Sequence, residues 1–346
     1  MKKRIIVSVC AVLLLAVALT LITPVLEPKY TSEKHLEGRL SGEYYEEAGD
    51  HEVIFIGDCE IYESFVPAVM WEEYGISSYL RGTPQQLAWH SYYLLEETFK
   101  YESPKVVVFN VLSLKYGEPQ DEAMNRMTLD GMKWSTSKIK AIFESMTEDE
   151  SFLDYVFPLL RFHSRITQLE ADDFKYAFSD PERVSHSGYL MKKEVYPMPD
   201  ALIGQEGIPL YDYTLPKTSM EYLEKMRELC EDNGSELVLV KAPTNSVTYW
   251  WYDEWEEKIV SYAEEHELAY YNLVPLCDEI GIDWKTDTYD AGVHLNVYGA
   301  EKTSRYFAGI LAENHGISDR RGDEDLAAIW QDRIDKYYNE RNSEEE

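Results

Sequence analysis

One thiol, one imidazole and two carboxylates of this 346-residue sequence stand where strand-like runs hand over to helix-like ones. The first segment is Phe55-Ile56-Gly57-Asp58-Cys59-Glu60, closing an apolar run. A residue here sits at the C-terminal edge of a strand, where the next helix points its N-terminus. A helix N-terminus lowers a thiol from its free value of about 8.5, so Cys59 is expected to be partly ionised near neutral pH. The plain alternative is a small, half-buried residue at a turn. The second segment is Asp287-Thr-Tyr-Asp290-Ala-Gly-Val-His294, just before another helix. A nucleophile needs a base to take its proton and a carboxylate to orient that base; Asp290 or Asp287 can supply the carboxylate. His294 can equally cap or pack against the helix it precedes.

Other groups offer weaker chemistry. Lys241, at a strand end, can hold an anionic group, and Arg161, His163 and Arg165 can reach over a site. Trp250-Trp251-Tyr252 and Trp255 can line a sugar platform, although aromatics there more often pack the start of a helix. The remaining histidines are scattered without ligand spacing, so no catalytic metal and no cofactor are expected.

The elements that must position these residues alternate along the chain. Strand-like runs are Glu52 to Ile56, Lys105 to Leu112, Glu236 to Val240, a weaker Leu268 to Tyr271, and Ile76 to Leu80. Helical patterns fill Gln85 to Lys100, Tyr252 to His266 and a stretch from near Val297. Another begins at a Thr218 or Ser219 cap and stops at Asn233-Gly234. Strands alternating with helices imply a mostly parallel sheet covered on both faces, with ligands at the carboxyl ends of the strands. Residues 115–217 break the rhythm with Pro158, Pro181, Pro197, Pro199 and Pro209, and read as an insertion or cap on the sheet. Residues 317–346 form an acidic tail with one exposed helix from Asp323 to Tyr338, and residues 27–50 read as a polar linker.

Gly57-Asp58-Cys59 after a first strand, with Asp290 and His294 in a late loop before a helix, resembles the SGNH (GDSL-like) hydrolase superfamily. That resemblance implies a flavodoxin-like three-layer α/β sandwich over residues 51–316, with Cys59 as nucleophile, His294 as base and Asp290 as its orienting acid. Gly82, in Leu80-Arg-Gly-Thr-Pro84, matches the family's glycine block by position. Asn110, in Val108-Phe-Asn-Val111, matches its asparagine block more loosely. Gly82, Asn110 and the Cys59 N–H would then steady an oxyanion. Two departures stand out: Cys59 replaces the family's serine, and the Asp290-to-His294 spacing is one residue longer.

Lys2, Lys3 and Arg4 precede an uncharged run from Ile5 to Leu26. At 1.5 Å per residue that run spans ~33 Å, enough for a hydrocarbon core of ~30 Å. It lacks a convincing signal-peptidase site, so residues 1–26 read as an uncleaved anchor in preference to a cleaved signal. The basic flank stays cytoplasmic and the rest of the chain lies outside. Cys10 is too early to be a lipoprotein cysteine. Cys59, Cys230 and Cys277 leave at least one thiol without an intrachain partner. The formal net charge of −31 makes nucleic acid a poor partner.

The anchored arrangement is similar to accessory proteins of alginate acetylation and teichoic-acid D-alanylation. This analogy points to an extracytoplasmic esterase or O-acyltransferase acting on envelope polysaccharide or other acylated carbohydrate. The competing reading is an inactive scaffold that partners a membrane-bound O-acyltransferase. A redox-sensing thiol is a third.

Overall fold

The computed structural model describes residues 2–27, 38–47, 49–178, 183–202, 205–247 and 249–343. Helix α1 (Lys2–Leu26) is followed by α2 (Arg39–Glu47), β1 (Val53–Gly57), α3 (Cys59–Ser64), α4 (Pro67–Tyr74), β2 (Ser78–Gly82), α5 (Ala88–Thr98) and β3 (Val106–Asn110). The insertion holds α6 (Glu122–Leu129), α7 (Thr136–Ser145), α8 (Phe152–Val156), α9 (Pro158–Phe162) and α10 (Ala171–Tyr176). Then come α11 (Lys217–Asn233), β4 (Glu236–Lys241), α12 (Asp253–Glu265), β5 (Ala269–Asn272), α13 (Cys277–Ile280), α14 (Val297–Asn314) and α15 (Glu324–Asn342).

The five strands form one parallel sheet in the order β2-β1-β3-β4-β5. Every residue of β1, β2 and β3 is buried; β1 and β3 are accordingly near-continuous apolar runs, whereas β2 carries Ser78 and a buried Arg81 that donates to the Leu94 carbonyl and the Thr98 hydroxyl. Successive side chains alternate between two cores. Val106, Val108, Val238 and Val240 pack on the side of α4 and α14, whereas Val107, Phe109, Leu237 and Leu239 pack on the side of α5, α11 and α12. The result is the three-layer α/β sandwich expected from the alternation, with the strand order of flavodoxin-like folds. The chain leaves β1 toward β2 on one side and returns to β3 on the other, opening a crevice at the carboxyl ends of β1 and β3.

Two segments differ from their sequence reading. In the expected linker, residues 28–37 and 48 lie outside the described residues, but α2 is a folded part of the domain. Its Leu40 and Tyr44 are buried, and the Tyr44 hydroxyl donates to Glu102 at 2.6 Å. The tail helix α15 is not exposed: Trp330 is fully buried and stacks on Trp71 at 5.2 Å between ring centroids, with Tyr337 buried two turns away. Apolar burial outweighs the charge of the surrounding residues in both cases.

Candidate active site

Gly57 ends β1 with φ +155°, and a Cβ there would stand 2.9 Å from both the Asn110 Cβ and the Ile61 Cγ1. Only glycine accepts that backbone and that approach, so the chain can turn sharply into α3 beside β3. Asp58 caps α3, its Oδ1 accepting from the Glu60 N–H at 3.2 Å, and Cys59 becomes the first helical residue.

His294 arrives from the loop before α14. Asp290 folds back on it, Oδ1 accepting from the His294 backbone N–H at 2.7 Å and Oδ2 lying 2.6 Å from the ring Nδ1. Between them Ala291 (φ +62°) and Gly292 (φ +93°) are left-handed, which is how the longer Asp-to-His spacing is accommodated. A left-handed alanine costs about 1–2 kcal/mol, offset here by several bonds. Gly292 N donates to the Thr288 hydroxyl at 2.8 Å, and Asn245 N and the Thr244 hydroxyl reach the Gly292 and Val293 carbonyls at 2.8 and 3.0 Å. Those last two residues follow β4, so the sheet itself registers the histidine loop.

The Cys59 sulfur lies 3.0 Å from His294 Nε2, across 235 positions of sequence. Sulfur, imidazole and the Asp290 carboxylate therefore form one continuous chain. Asp287 does not reach it. Its carboxylate holds Lys302 at 2.6 Å, the Asp283 N–H at 2.8 Å and the Thr286 hydroxyl at 3.0 Å, bracing the base of the loop.

Two other assignments change. Asn110 spends both amide protons on carboxylates, Asp58 Oδ1 at 3.0 Å and Glu60 Oε2 at 2.9 Å, while its oxygen accepts from Ala242 N at 3.2 Å. In this arrangement it has no donor left for an oxyanion. Lys241 is fully buried and donates to both Glu60 oxygens at 2.7 and 2.9 Å, so it holds an internal anion and not a ligand. Gly82 lies at the crevice, paired in register with Gly57; a Cβ there would come within 3.1 Å of the Asp58 carbonyl and 3.0 Å of Tyr62. Trp251 and Trp255 are buried in the core. Arg161 pairs with Glu122 and Asp130, Arg165 with Asp173, and His163 with the Leu160 carbonyl, away from the Cys59–His294 pair.

Sequence reasoning missed a second carboxylate. Glu63, one helical turn after Cys59 on α3, is buried with Oε2 3.4 Å from His294 Nδ1; its Oε1 accepts from the Tyr289 hydroxyl at 2.8 Å. Tyr289 in turn stacks on the imidazole, with centroids 6.0 Å apart and planes at 13°. The i, i+4 spacing of Cys59 and Glu63 was the available signal. Lys115 is also close, its Nζ 4.8 Å from the ring centroid of Tyr249, which itself lies 6.2 Å from the His294 ring.

These charges set the ionisation of the site. Burial pushes the Cys59 thiol up to about 11, with Asp58 and Glu63 adding to the rise and His294 opposing it. Burial thus works against the partial ionisation expected from the helix terminus. Burial also opposes a charged His294, but Cys59, Glu63 and Asp290 outweigh it and lift the imidazole well above its ordinary value. Asp58 is raised to about 7 by burial and by Glu60. Removing the Glu63 charge makes both members of the Cys–His pair easier to deprotonate, so Glu63→Gln should move the pH midpoint of Cys59 alkylation down by about one unit. Iodoacetamide labelling rates across pH check this. An unmoved midpoint would mean that the Glu63 charge is not felt at the pair.

No protein-family model and no curated protein matches the sequence. Among solved structures, the chain is similar to one from Desulfitobacterium hafniense DCB-2 named for the G-D-S-L family of lipolytic proteins. The two are 14% identical, the match covers 76% of this chain and 100% of that one, and the TM-score is 0.37.

Proposed function

We propose that the chain is a membrane-anchored, extracytoplasmic esterase or O-acyltransferase of SGNH type, acting on acylated carbohydrate of the cell envelope. The observation that carries the reading is the Cys59–His294–Asp290 chain at the carboxyl edge of the sheet. The competent form is the pair that has lost one proton, whether written as thiolate beside imidazolium or thiol beside imidazole. Sulfur attacks the ester carbonyl carbon, and His294 Nε2 passes the proton to the departing alcohol oxygen, leaving a thioester on Cys59. Water or a sugar hydroxyl then gives its proton to Nε2 and displaces the sulfur, releasing acid or a new ester. Asp290 keeps Nδ1–H in place throughout. The Cys59 N–H, in the first turn of α3 and without an intrahelical acceptor, and the approach permitted by Gly82 support the developing oxyanion.

Helix α1 contains a 23-residue stretch, Arg4–Leu26, whose most apolar 18-residue window has mean hydropathy 3.1, long and apolar enough to cross a membrane. The basic residues before it put the folded domain on the far side. Anchored there, it faces envelope polymers.

A specific observation favours the second reading, an inactive scaffold for a membrane-bound O-acyltransferase. The thiol is held up by burial, and Asn110 offers no oxyanion donor. One experiment separates the two. The full-length protein is exposed to an activated acetyl ester above pH 8, and intact mass is followed. A 42-dalton acetyl adduct on Cys59, absent in Cys59→Ala and formed on oxygen in Cys59→Ser, is expected of the enzyme. No adduct in either wild type or Cys59→Ser leaves the scaffold.

A further inference from the structure

Outside α1, most of the large apolar side chains left uncovered among the described residues lie in the insertion. Between residues 152 and 178, Leu153 (53% exposed), Phe157 (54%), Leu160 (47%), Ile166 (58%), Phe174 (62%) and Phe178 (69%) face outward. The same segment turns Tyr155, Asp173 and Ala177 inward, all nearly buried. Exposed polar residues such as Gln168, Glu170, Asp172 and Lys175 lie among them, so the segment shows a mixed surface in which six large apolar side chains have no cover. An exposed apolar face of this extent marks a surface that meets something other than water.

The position of this face identifies what it meets. Residues 4 to 22 of α1 are exposed along their length, apart from two side chains that are not described, whereas the last turn is enclosed and Leu26 is only 1% exposed. What encloses that turn is the insertion: α1 contacts α9, α10 and the short 3-10 turn His163–Thr167. Arg165 donates to the Leu26 carbonyl, satisfying an end of the helix that has no partner of its own, and Arg165 is fixed in turn by Asp173 at 2.8 Å. A helix that spans the bilayer emerges at the headgroup layer. Whatever packs on its final turn lies at that depth, within the 5–10 Å over which interfacial helices bury their apolar faces. Four acidic and three basic side chains lie between residues 152 and 178. That near balance spares the segment the repulsion that the strongly acidic remainder would meet at anionic lipid.

We infer that α8–α10 of the insertion form a lipid-seated platform, which beds Phe157, Phe174 and their neighbours in the outer leaflet and holds the domain at a fixed height over the membrane. The inference rests on the proposed spanning role of α1. It gives the insertion a function the Cys59 site does not use: α1 is clamped to the domain at its exit, so the site does not swing freely on a tether.

The test uses the full-length protein in vesicles of phosphatidylglycerol and phosphatidylethanolamine. Benzoylphenylalanine replaces Phe157, Phe174 or, as a control, Ile329, which is 50% exposed on α15. After irradiation, the platform predicts phospholipid adducts at 157 and 174 in about tenfold excess over 329. Protein that stays with the vesicles but shows equal or no lipid adducts at all three positions overturns the platform and leaves the anchor standing. Protein that does not stay with the vesicles overturns the anchor and the platform together. Irradiation of native membranes that yields adducts to a second polypeptide at 157 and 174, in place of lipid, also overturns it and assigns the face to a protein partner.

Discussion

His294→Ala is expected to slow acylation of Cys59 by an activated acetyl ester about 10³-fold, within the range a positioned acid–base contributes. The imidazole Nε2 is 3.0 Å from the sulfur, within reach to accept its proton. It is also the group that opposes the burial-driven rise of the thiol. Its removal therefore both deletes the proton acceptor and makes thiolate rarer at any given pH. Tyr289 and Tyr249 flank the ring, so the alanine leaves a gap and His294→Gln, which fills more of it, serves as the companion variant. Equal losses in both, with unchanged far-ultraviolet circular dichroism, assign the effect to proton transfer. Asp290→Asn should lose less, because Glu63 remains 3.4 Å from Nδ1 and can still favour the cation. A His294→Ala protein that acylates at the wild-type rate would show that the thiol reacts without its neighbour, and the catalytic reading would fall.

The parts of this site that were legible in the sequence are those a local pattern encodes. Val106–Asn110 is a short β-branched run, the pattern of a strand buried on both faces. Gly57 and Cys59 were readable because a glycine closing an apolar run marks a turn that other residues cannot make. What could not be read depends on burial by distant segments. Glu63 looks like any solvated acid on a short helix until Tyr289, from 226 positions away, closes over it. Asn110 matched a family position, yet its amide protons are claimed by Asp58 and Glu60, an outcome set by three strand ends converging. The Cys59 thiol follows the same rule: the helix terminus is a local feature, whereas the desolvation that raises the thiol comes from the whole crevice. In α15, Leu326, Trp330, Ile334 and Tyr337 do follow helical spacing, but the acidic residues between them suggested a solvated helix.

Lys241→Met should destabilise the protein by about 3–5 kcal/mol, the cost of stranding a buried charge by removing its partner. Lys241 is fully buried, with its Nζ on both oxygens of Glu60 and on the Ala242 carbonyl at 2.9 Å. Asp58 lies in the same network through Asn110 Nδ2, so the lysine is the cation for two adjacent carboxyl groups beside Cys59. The deficit should grow with pH. Asp58 is raised from 3.8 to about 7 in the folded chain, so its favourable linkage is complete below its unfolded value and is lost as pH rises through 7. Lys241 is among the charges that restrain this rise; without it the loss extends to higher pH, and the deficit should be larger at about pH 8 than at about pH 5. Thermal unfolding of the full-length protein in detergent at the two pH values measures it. Glu60→Gln combined with Lys241→Met removes both charges and should recover most of the loss, giving a coupling energy that neither single variant reports. If Lys241→Met were neutral at both pH values, the carboxylates would be reached by water or already protonated, and the network would not be what holds Asn110 and the Cys59 turn in place.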